Sequence, residues 1–483
     1  MTSEAYRPKT MSNLSAIILA GGRGTRMRSD LPKVLHPCGG LPLVCHVVRL
    51  ARTLQCYPIV IVVPPQNSDI EKAIRTYGTL PGQIQALDDL RFIVQPEARG
   101  TGDAARYGMT ELLDFDGRVL ILSGDVPLLQ ATTLMPILET NKTAVATLLT
   151  AKLVEPEGYG RILRKGKNVM GIVEHKDASA TERKVNEINA GVYCFASALL
   201  KTNLDKLKQN NVQGEFYLTD VIGLLCKQKK RVAGYCLQDN TEIQGINTRQ
   251  DLAQAELLLR NRSIRMHQQQ GVSFQDPEHV YIDVDVKIEQ DVFIGAGVEL
   301  RGRTQIGQHT RIAGPTFIKD SVLAAHVTVN SFCHIEQTRM SENAVVGPFA
   351  RLRPGSVLGE ASHVGNFVEL KNTTLGKASK ANHLAYLGDT TIGERANIGA
   401  GTITCNYDGY QKHKTSLGDG CFIGSNSTLI APVNLENNTY VAAGSVVTKN
   451  VPEDALAFGR SRQDNRLGYA KHLRERLGKN KKE

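Results

Sequence analysis

The sequence predicts an α/β domain of Rossmann-like layout with a mainly parallel sheet, then a linker helix, then a parallel β-helix of hexapeptide repeats. Three observations carry this prediction. Apolar runs of strand length alternate with helical stretches in the first half of the 483 residues, as is typical of α/β domains. One capped amphipathic stretch follows. Aliphatic residues then recur every six positions, a period that indicates a solenoid of stacked coils.

Composition describes an ordinary soluble globular chain, with 41% hydrophobic and 22% charged residues. No apolar run approaches the roughly 20 residues that span a bilayer. Nine cysteines without a Cys-x-x-Cys pair indicate neither a disulfide framework nor a zinc site, so we expect a cytoplasmic setting. Residues 1–13 read as a disordered extension, in which Met11 offers an alternative start. Much of the net charge of +10 lies in residues 460–482, a pattern usual for a solvated, mobile end.

The first apolar run, residues 14–20, ends in the glycine-rich stretch 21–27. A strand that enters such a turn brings backbone N–H groups close to a phosphate, and the following helix start favours the anion. Arg23, Arg26 and Lys33 add cations suited to a triphosphate, although surface charge explains them equally well. The pattern matches neither the dinucleotide fingerprint nor a Walker A loop.

Further strand-like runs lead to two more loops at which ligands of parallel sheets gather. The runs are 59–63, 92–94, 119–123, 144–151 and 232–237. The loops are 95–102 and 123–125, and Asp125 is either a helix cap or a ligand of Mg²⁺. Polar clusters at 158–161, 174–177 and 187–191 suit a sugar pocket, but solvated loops would look the same.

The linker helix is predicted over 248–271, because Thr248 and Asp251 have the spacing of a capping box and Gly271 closes the stretch. Its apolar face is predicted to hold four residues, namely Leu252, Ala255, Leu259 and Met266.

The hexad pattern occupies residues 282–447 and predicts roughly nine coils of about eighteen residues. Three runs keep one frame each: Ile282, Ile288, Ile294, Leu300, Ile306, Ile312 and Ile318; Val346, Leu352, Leu358, Val364 and Leu370; and Leu417, Ile423, Leu429, Leu435, Val441 and Val447. Accidental spacing in a generic β-rich domain is a poor alternative to three such runs. The frame slips between Leu370 and Leu417, where the sequence turns polar, so we expect a site there.

Eleven motifs together are far more specific than any one of them. In order, they are LAGGRGTRM, LPKVL, QPEARGTGDA, SGDVPLL, GYGRI, GIVEHKDA, INAG, GPFARLRPG, HVGNFVELK, NHLAYLGD and NIGAGTITCNYDG. Over about residues 14–460, the chain closely resembles the bifunctional bacterial N-acetylglucosamine-1-phosphate uridylyltransferase/glucosamine-1-phosphate acetyltransferases. The resemblance implies a uridylyltransferase (pyrophosphorylase) domain at 14–247, a linker helix at 248–271, a left-handed β-helix acetyltransferase domain at 272–460 and a basic tail at 461–483.

For the first domain, the resemblance implies attack of N-acetylglucosamine-1-phosphate on the α-phosphate of UTP, with pyrophosphate leaving. Such chemistry depends on in-line placement and charge neutralisation. The implied residues are Leu19, Ala20, Gly21, Gly22, Ser123 and Gly124 for the nucleotide, Arg23 and Lys33 for phosphates, Gln95, Gly100 and Thr101 for uracil, Gly160, Glu174 and Asn189 for the amino sugar, and Asp125 and Asn247 for Mg²⁺.

For the solenoid, the resemblance implies acetyl transfer from acetyl-CoA to the amine of glucosamine-1-phosphate. An ammonium cannot attack a thioester, so a base of near-neutral pKa is needed. The implied base is His383, although a lone histidine is more often structural. The other implied residues are Arg353 and Lys371 for the sugar phosphate, Tyr386 and Asn397 for the sugar, Glu369 for the amine or His383, and Ala400, Asn406, Tyr407, Ser425, Ala443 and Arg460 for acetyl-CoA or the oxyanion.

The resemblance also implies a homotrimer assembled through the β-helix, with the CoA site between neighbouring solenoids, and a product that feeds peptidoglycan and lipopolysaccharide precursors. We expect small-molecule substrates and neither a nucleic-acid nor a membrane partner. Four residues depart from the usual family pattern: Gly21 replaces alanine, Arg23 lysine, Ser123 an aromatic residue and Asn382 glycine. None of these changes removes a reacting group.

Three alternatives are weaker. A monofunctional sugar-nucleotide pyrophosphorylase with a solenoid for assembly would not be expected to carry His383 with the TITCNYDG segment. A non-catalytic scaffold would have had no reason to keep Asp125, Lys33 and Asn247. A nucleic-acid binder would explain the charge, but no aromatic interleaving or recognition module accompanies it.

Overall fold

The computed structural model describes residues 13–22, 24–80, 88–141 and 143–479. These residues form two compact units. The first unit extends to Ser263 and also contains Asp283–Asp285, and the second comprises Ile264–Ile282 and the chain from Val286 onward. Each unit has its own hydrophobic core, so each is described separately.

The first unit is an α/β sandwich in which strands and helices alternate. Its strands are β1 (Leu14–Leu19), β2 (Pro37–Cys38), β3 (Leu41–Pro42), β4 (Ile59–Val63), β5 (Leu90–Val94), β6 (Arg118–Ser123), β7 (Ala146–Lys152), β8 (Arg161–Lys165), β9 (Asn168–Val173), β10 (Glu187–Ala196) and β11 (Val232–Cys236). Its helices are α1 (Leu43–Thr53), α2 (Ser68–Tyr77), α3 (Thr101–Thr110), α4 (Ala131–Asn141), α5 (Ser197–Leu204) and α6 (Thr219–Lys227).

The main sheet has the strand order β11-β7-β10-β6-β1-β4-β5, with β8 and β9 attached beside β10. Along this order, neighbouring strands are parallel except where β10 pairs with β6 and β7, and the attached β8 is antiparallel to both β10 and β9. The predicted, mainly parallel sheet is therefore confirmed. The antiparallel β10 was not recognised as a strand, because its first half, Glu187-Ile188-Asn189, reads as a polar cluster.

Helices cover both faces of this sheet. Buried residues of α1, α2 and α4 pack on one face, and those of α3, α5 and α6 pack on the other. All five residues of β4 are buried, as expected of a parallel strand covered on both sides. The arrangement leaves the carboxyl ends of β1, β5 and β6 at one edge.

Helix α7 (Arg249–Gln269) begins with the predicted capping box. The Asp251 carboxylate accepts the backbone N–H of Thr248 at 2.8 Å, and the Asp251 N–H donates to Thr248 Oγ1 at 3.1 Å. Ala255 and Leu259 are buried as predicted. Met266 is exposed instead, because Ile264 takes the buried position in that part of the helix.

The second unit is a left-handed parallel β-helix with three sheets, here called the first, second and third faces. The first face contains Ser273–Phe274, Phe293–Ile294, Arg311–Ile312, Thr328–Val329, Val345–Val346, His363–Asn366, Lys380–His383, Asn397–Ile398, Phe422–Ile423, Tyr440–Val441 and Leu456–Ala457. The second contains Tyr281–Ile282, Val298–Arg301, Thr316–Lys319, His334–Glu336, Arg351–Leu352, Glu369–Lys371, Tyr386–Gly388, Ile403–Cys405, Thr428–Ile430 and Val446–Val447. The third contains Lys287–Ile288, Gln305–Ile306, Val322–Leu323, Arg339–Met340, Val357–Leu358, Thr374–Leu375, Thr390–Ile392, Thr415–Leu417 and Val433–Leu435.

The hexad aliphatics fill the interior of the β-helix, and this rule holds even where the frame slips. Leu375, Leu387, Ile392 and Ile398 are all buried. The slip arises because two corners are one residue shorter, and because an inserted loop separates the strands Ile403–Cys405 and Thr415–Leu417. The polar segment therefore adds a loop to the solenoid without interrupting its core.

The basic tail contains a helix, α8 (Tyr469–Lys479), where the sequence pattern suggested only a mobile end. The side chains of residues 469–478 are exposed or half-buried. Among the described residues, no helix combines the length and the apolar character needed to cross a membrane.

Candidate active sites

The first candidate site is a cleft of about 230 Å³ at the carboxyl ends of β1, β5 and β6. Nine of the residues named by the family resemblance line it: Leu19, Gly21, Gly22, Lys33, Gln95, Gly100, Thr101, Ser123 and Asp125. Three separate loops, which are distant in sequence, thus meet in one cavity. Arg23 lies outside the described residues.

Close backbone packing explains two glycines of this cleft. Gly100 has a φ of +106°, and a Cβ there would lie 2.6 Å from the Phe216 carbonyl oxygen. A Cβ on Gly21 would lie 3.3 Å from Gln95 Oε1. Alanine, which is usual in the family at position 21, would therefore need a slight shift of the Gln95 side chain.

The amide of Gln95 is fixed within the cleft wall. Gln95 is 6% exposed, and its Nε2 donates to Asp103 Oδ2 at 2.9 Å. The amide orientation is thus set by a buried carboxylate on α3. Thr101 is held in a similar way, since its Oγ1 accepts the backbone N–H of Leu218 at 3.2 Å.

Lys33, Asp125 and Asn247 form a polar cluster at the bottom of the site. The Lys33 ammonium contacts Asp125 Oδ2 and lies 3.2 Å from Asn247 Oδ1. Both oxygens therefore converge on one cation. A carboxylate and an amide oxygen are donors that Mg²⁺ accepts when substrate phosphates complete its coordination, so the residues present fit this metal.

Arg26, one of the two arginines that the glycine-rich stretch offers to a triphosphate, is a further cation at this cluster. Its guanidinium donates to Asn247 Oδ1 at 3.0 Å. A cation predicted to face the triphosphate therefore contacts a predicted Mg²⁺ ligand.

Gly160, Glu174 and Asn189 also lie together. Asn189 N–H donates to the Gly160 carbonyl at 2.9 Å, and a Cβ on Gly160 would lie 3.4 Å from the Glu174 carboxylate oxygens. Burial raises the pKa of Glu174, and the carboxylate of Asp220 adds to this effect. A Thr219 Oγ1–H donor at 3.0 Å opposes it.

The structure adds Glu215 and Thr219 to the residues of this domain that approach the site. Glu215 lines the cleft, and Thr219 bonds to Glu174. Neither belongs to a glycine-rich or charged motif, so only the fold reveals them.

The second candidate site lies on the β-helix, where the first face meets the second. The ring of His383 places Nδ1 2.8 Å from Asn366 Oδ1. The amide oxygen can only accept, so Nδ1 carries a hydrogen, and in the neutral ring this leaves the lone pair on Nε2. Asn366 is the strand partner of His383 on the preceding coil and was not predicted.

Cations and a carboxylate lie on the second face, which the chain enters at Tyr386, three residues after His383. Arg353 donates to Glu369 Oε1 at 3.0 Å, and Glu369 pairs with Tyr386 on the next coil. Lys371 follows Glu369 in the same face by two positions, which places both side chains outward. The predicted acceptor-binding residues Arg353, Glu369, Lys371 and Tyr386 are thus brought together.

Lys412, on the inserted loop, joins this group and was missed from the sequence. Its contact with the Lys371 ammonium lowers the pKa of Lys371. Two ammonium groups and the guanidinium of Arg353 concentrate positive charge, an arrangement suited to a phosphate dianion. Lys412 could have been predicted, because it lies in the same polar segment as Tyr407, where the six-residue frame slips.

The inserted loop has a defined shape. Asp408 accepts the backbone N–H groups of Tyr410 and Gln411 at 2.8 and 2.7 Å, and also contacts His413 Nε2 at 2.7 Å. These donors hold the pKa of Asp408 well below its usual range. Lys412 is thereby presented from a hydrogen-bonded loop.

The residues predicted for acetyl-CoA fall into two groups. Ala400, Ser425 and Ala443 lie on successive coils, with Asn426 N–H bonded to the Ala400 carbonyl at 2.7 Å. Arg460 approaches this column, since its Cδ would lie 3.6 Å from a Cβ on Gly444. The second group, Asn406 and Tyr407, opens the inserted loop, where Asn406 donates to Asp389.

Asn397 and Asn382 complete the predicted residues. Asn397 lies on the first face and pairs with Lys380 and Phe422. Asn382 precedes His383, and its Oδ1 is buried with no hydrogen-bond partner among the described residues.

Comparisons with known proteins found matches to both units. A model of the MobA-like NTP transferase domain matches residues 16–185, and one of the hexapeptide repeat of succinyl-transferase matches residues 414–449. The "Bifunctional protein GlmU" of Streptococcus gordonii is 46% identical over 461 residues, which cover 95% of this chain and 98% of that protein. The proteins of that name from Streptococcus thermophilus and Acinetobacter baumannii are 44% and 42% identical, over 95% and 94% of this chain and 98% of each relative.

Identity at this level spans both units, so the resemblance suggested by the motifs is confirmed for the whole length rather than for one domain. The chain therefore belongs to the family of bifunctional GlmU proteins.

Proposed function

We propose that this enzyme first acetylates glucosamine-1-phosphate with acetyl-CoA on the β-helix. It then transfers UMP from UTP to N-acetylglucosamine-1-phosphate in the α/β unit, releasing pyrophosphate. The observation that carries the proposal is the second site, where Asn366 orients the His383 ring and the adjoining second face brings together Arg353, Glu369, Lys371 and Lys412. A solenoid used only for assembly would have no need of this combination.

At the first site, the chain's own groups bind and neutralise the triphosphate. Backbone N–H groups of the glycine-rich turn approach the phosphates, and Lys33 supplies a fixed positive charge. Asp125 and Asn247 would hold Mg²⁺, which supplies further charge neutralisation when bound. Gln95, locked by Asp103, presents its remaining amide oxygen to the base.

The amino sugar would bind at Gly160, Glu174 and Asn189, with its phosphate directed toward the α-phosphate of UTP. No protein nucleophile is required, because an oxygen of the sugar phosphate attacks directly. The role of the site is therefore placement and electrostatic stabilisation.

At the second site, the substrate ammonium first loses one proton to solvent, and His383 Nε2 then takes a second proton as the amine nitrogen attacks the thioester carbon. The C–N bond forms, the C–S bond breaks, and the CoA thiolate recovers a proton from the imidazolium. Asn366 holds the ring in the tautomer that this step needs. Arg353, Lys371 and Lys412 hold the phosphate, and Glu369 orients Arg353.

We further propose the homotrimer that the resemblance implies. An exposed apolar column supports it: Phe332, Phe349 and Phe367 stack at centroid distances of 4.8 and 5.4 Å, and Leu384 follows on the next coil. Such a column is favourably covered by another copy of the β-helix. We place the enzyme in the cytoplasm, since all nine cysteines are free.

A paired assay tests this proposal. One tube contains UTP, Mg²⁺ and N-acetylglucosamine-1-phosphate, and the other contains acetyl-CoA and glucosamine-1-phosphate. We expect pyrophosphate in the first and free CoA thiol in the second. Pyrophosphate without thiol release would reject the second activity and leave His383 as a structural residue.

A further inference from the structure

Neither site uses the tail beyond Arg460. Residues 461–483 contain eight Lys or Arg and three Asp or Glu residues, so they carry a net charge of +5, half of the charge of the whole chain. Within this segment, α8 is a helix of 11 residues, roughly 16 Å long at the usual rise.

Helix α8 has one apolar stripe. Tyr469, Leu473 and Leu477 are spaced four residues apart and therefore lie along one side of the helix. Tyr469 is 43% exposed and Leu477 is 56% exposed. Arg474 and Arg476 flank the stripe on opposite sides, because successive residues are separated by about 100° around the helix axis.

The hydrogen bonds described for this segment are local. Tyr469 N–H donates to the Arg466 carbonyl at 3.3 Å, and Lys471 N–H donates to the Gly468 carbonyl at 3.1 Å. The Arg466 guanidinium lies 6.0 Å from the Tyr469 ring centroid. The helix thus presents the exposed Tyr469 and Leu477 on either side of the half-buried Leu473, with cations around this stripe.

We propose that α8 docks this enzyme on a membrane surface rich in anionic phospholipid. Charge complementarity and the apolar stripe together favour this partner. Flanking arginines would meet the phosphate headgroups while Tyr469, Leu473 and Leu477 enter the headgroup–acyl boundary. Such contact needs no spanning segment, so it is compatible with the absence of a spanning helix among the described residues.

Two other partners use only part of these features. A nucleic acid would neutralise the basic groups but leave the apolar stripe in water. A second copy of the tail would cover the stripe but bring two segments of net charge +5 together.

The test is sedimentation of the full-length enzyme with two kinds of vesicle, pure phosphatidylcholine and an equimolar mixture of phosphatidylcholine and phosphatidylglycerol. At low salt we expect binding to the anionic vesicles that is at least tenfold tighter than binding to the neutral ones. Raising the salt to about 0.5 M should weaken it at least tenfold, because it screens the charges. Equal binding to both vesicles, or binding to neither, would overturn the proposal.

Paired variants separate lipid docking from general attraction to polyanions. Leu473→Gln with Leu477→Gln keeps the charge of the helix and removes its apolar stripe. Arg474→Gln with Arg476→Gln keeps the stripe and removes two positive charges. Both pairs should lose at least tenfold in affinity for anionic vesicles, whereas Lys165→Gln with Lys167→Gln, two exposed lysines in the first unit, should not. Unchanged acetyl and uridylyl transfer in every variant verifies folding. Full vesicle binding by the leucine variant would contradict insertion and leave only polyanion attraction.

Discussion

Substitution of Lys412 tests how the second site recognises the phosphate of glucosamine-1-phosphate. Lys412→Ala should raise the KM for glucosamine-1-phosphate by about ten- to a hundredfold, as expected for loss of a charged hydrogen bond of about 1.5–3 kcal/mol. The KM for acetyl-CoA should remain near that of the wild type. Steady-state kinetics with each substrate varied separately would measure both constants.

Lys414→Ala is the matched control, because Lys414 is an exposed lysine of the same inserted loop. It should leave both constants unchanged. An equal rise in the two KM values for Lys412→Ala would instead indicate that the whole loop had been disturbed.

Substitutions of His383 and Asp125 test whether each site catalyses only one of the two reactions. His383→Ala should lower acetyl transfer by about 10²–10⁴-fold, the usual contribution of general-base catalysis, and should leave uridylyl transfer intact. Asp125→Ala should lower uridylyl transfer and leave acetyl transfer intact. Loss of both activities in either variant would contradict two independent sites, and an unchanged Mg²⁺ dependence in the second would reject Asp125 as a ligand.

Site residues could be predicted from the sequence where they belong to a recognisable motif. Lys33, Gln95 and Asp125 belong to separate motifs, and the structure places all three in one cleft. Asn366 was not predictable in this way, because it precedes His383 by 17 residues and only the length of a coil brings them together. Thr219 was missed for a related reason, since its contact with Glu174 depends on how α6 packs.

The strand that carries His383 depends on a glycine one coil below. A Cβ on Gly365 would overlap the backbone carbonyl of Asn382. Gly365→Ala should therefore destabilise the β-helix by about 1–3 kcal/mol and lower acetyl transfer by displacing His383. Thermal unfolding and the acetyl-transfer assay would measure the two effects.

Gly478→Ala provides the comparison, because a Cβ there meets no atom within 4 Å. Its melting temperature should equal that of the wild type. If Gly365→Ala behaved in the same way, the close approach of the two coils would not constrain the site.

Helix α1 carries a histidine whose titration should make the first unit sensitive to acid. Burial lowers the pKa of His46 to about 4, although Nε2–H donates to the Cys38 carbonyl at 2.8 Å. The unfolded chain binds this proton near pH 6.5, so the stabilising contribution is complete above that pH and is lost as pH falls toward 4. We expect about 2 kcal/mol less stability at pH 5 than at pH 7 from this group.

Urea unfolding of the first unit between pH 4.5 and 7.5 would measure this slope. His46→Gln, which keeps a donor for the carbonyl, should flatten it, whereas His472→Gln on the exposed tail should not. An equally steep slope in the His46 variant would assign the acid sensitivity to other groups.

At the level of elements, periodicity predicted more than composition did. The six-residue period identified the solenoid, and alternation identified β4, β5 and β6. The slip after Leu370 was interpreted as a failure of packing, whereas the interior stays filled and only corners and a loop change length. Periodicity reports the spacing of buried residues, so it cannot distinguish a shortened corner from a disrupted core.

Within the described residues, the hydrophobic core of the β-helix is separate from the clusters of the first unit, and the predicted metal ligands belong to the first unit. Removal of Mg²⁺ with a chelator should therefore abolish uridylyl transfer and leave acetyl transfer unchanged. Both rates measured on one preparation, before and after adding excess Mg²⁺, would test this. Loss of acetyl transfer on chelation would mean that the second unit also depends on a metal.

The boundary between the units has a consequence for inheritance. Asp283–Asp285 belong to the first unit although the chain on either side of them builds the second. Asp285 forms two hydrogen bonds with the buried Arg49 guanidinium, at 2.6 and 2.9 Å. A gene fusion that joined residues 1–271 to a foreign solenoid would leave this charge unpaired, at a cost of about 3–5 kcal/mol. Recombination at the apparent linker is therefore disfavoured, and the two halves of the gene are expected to be inherited together.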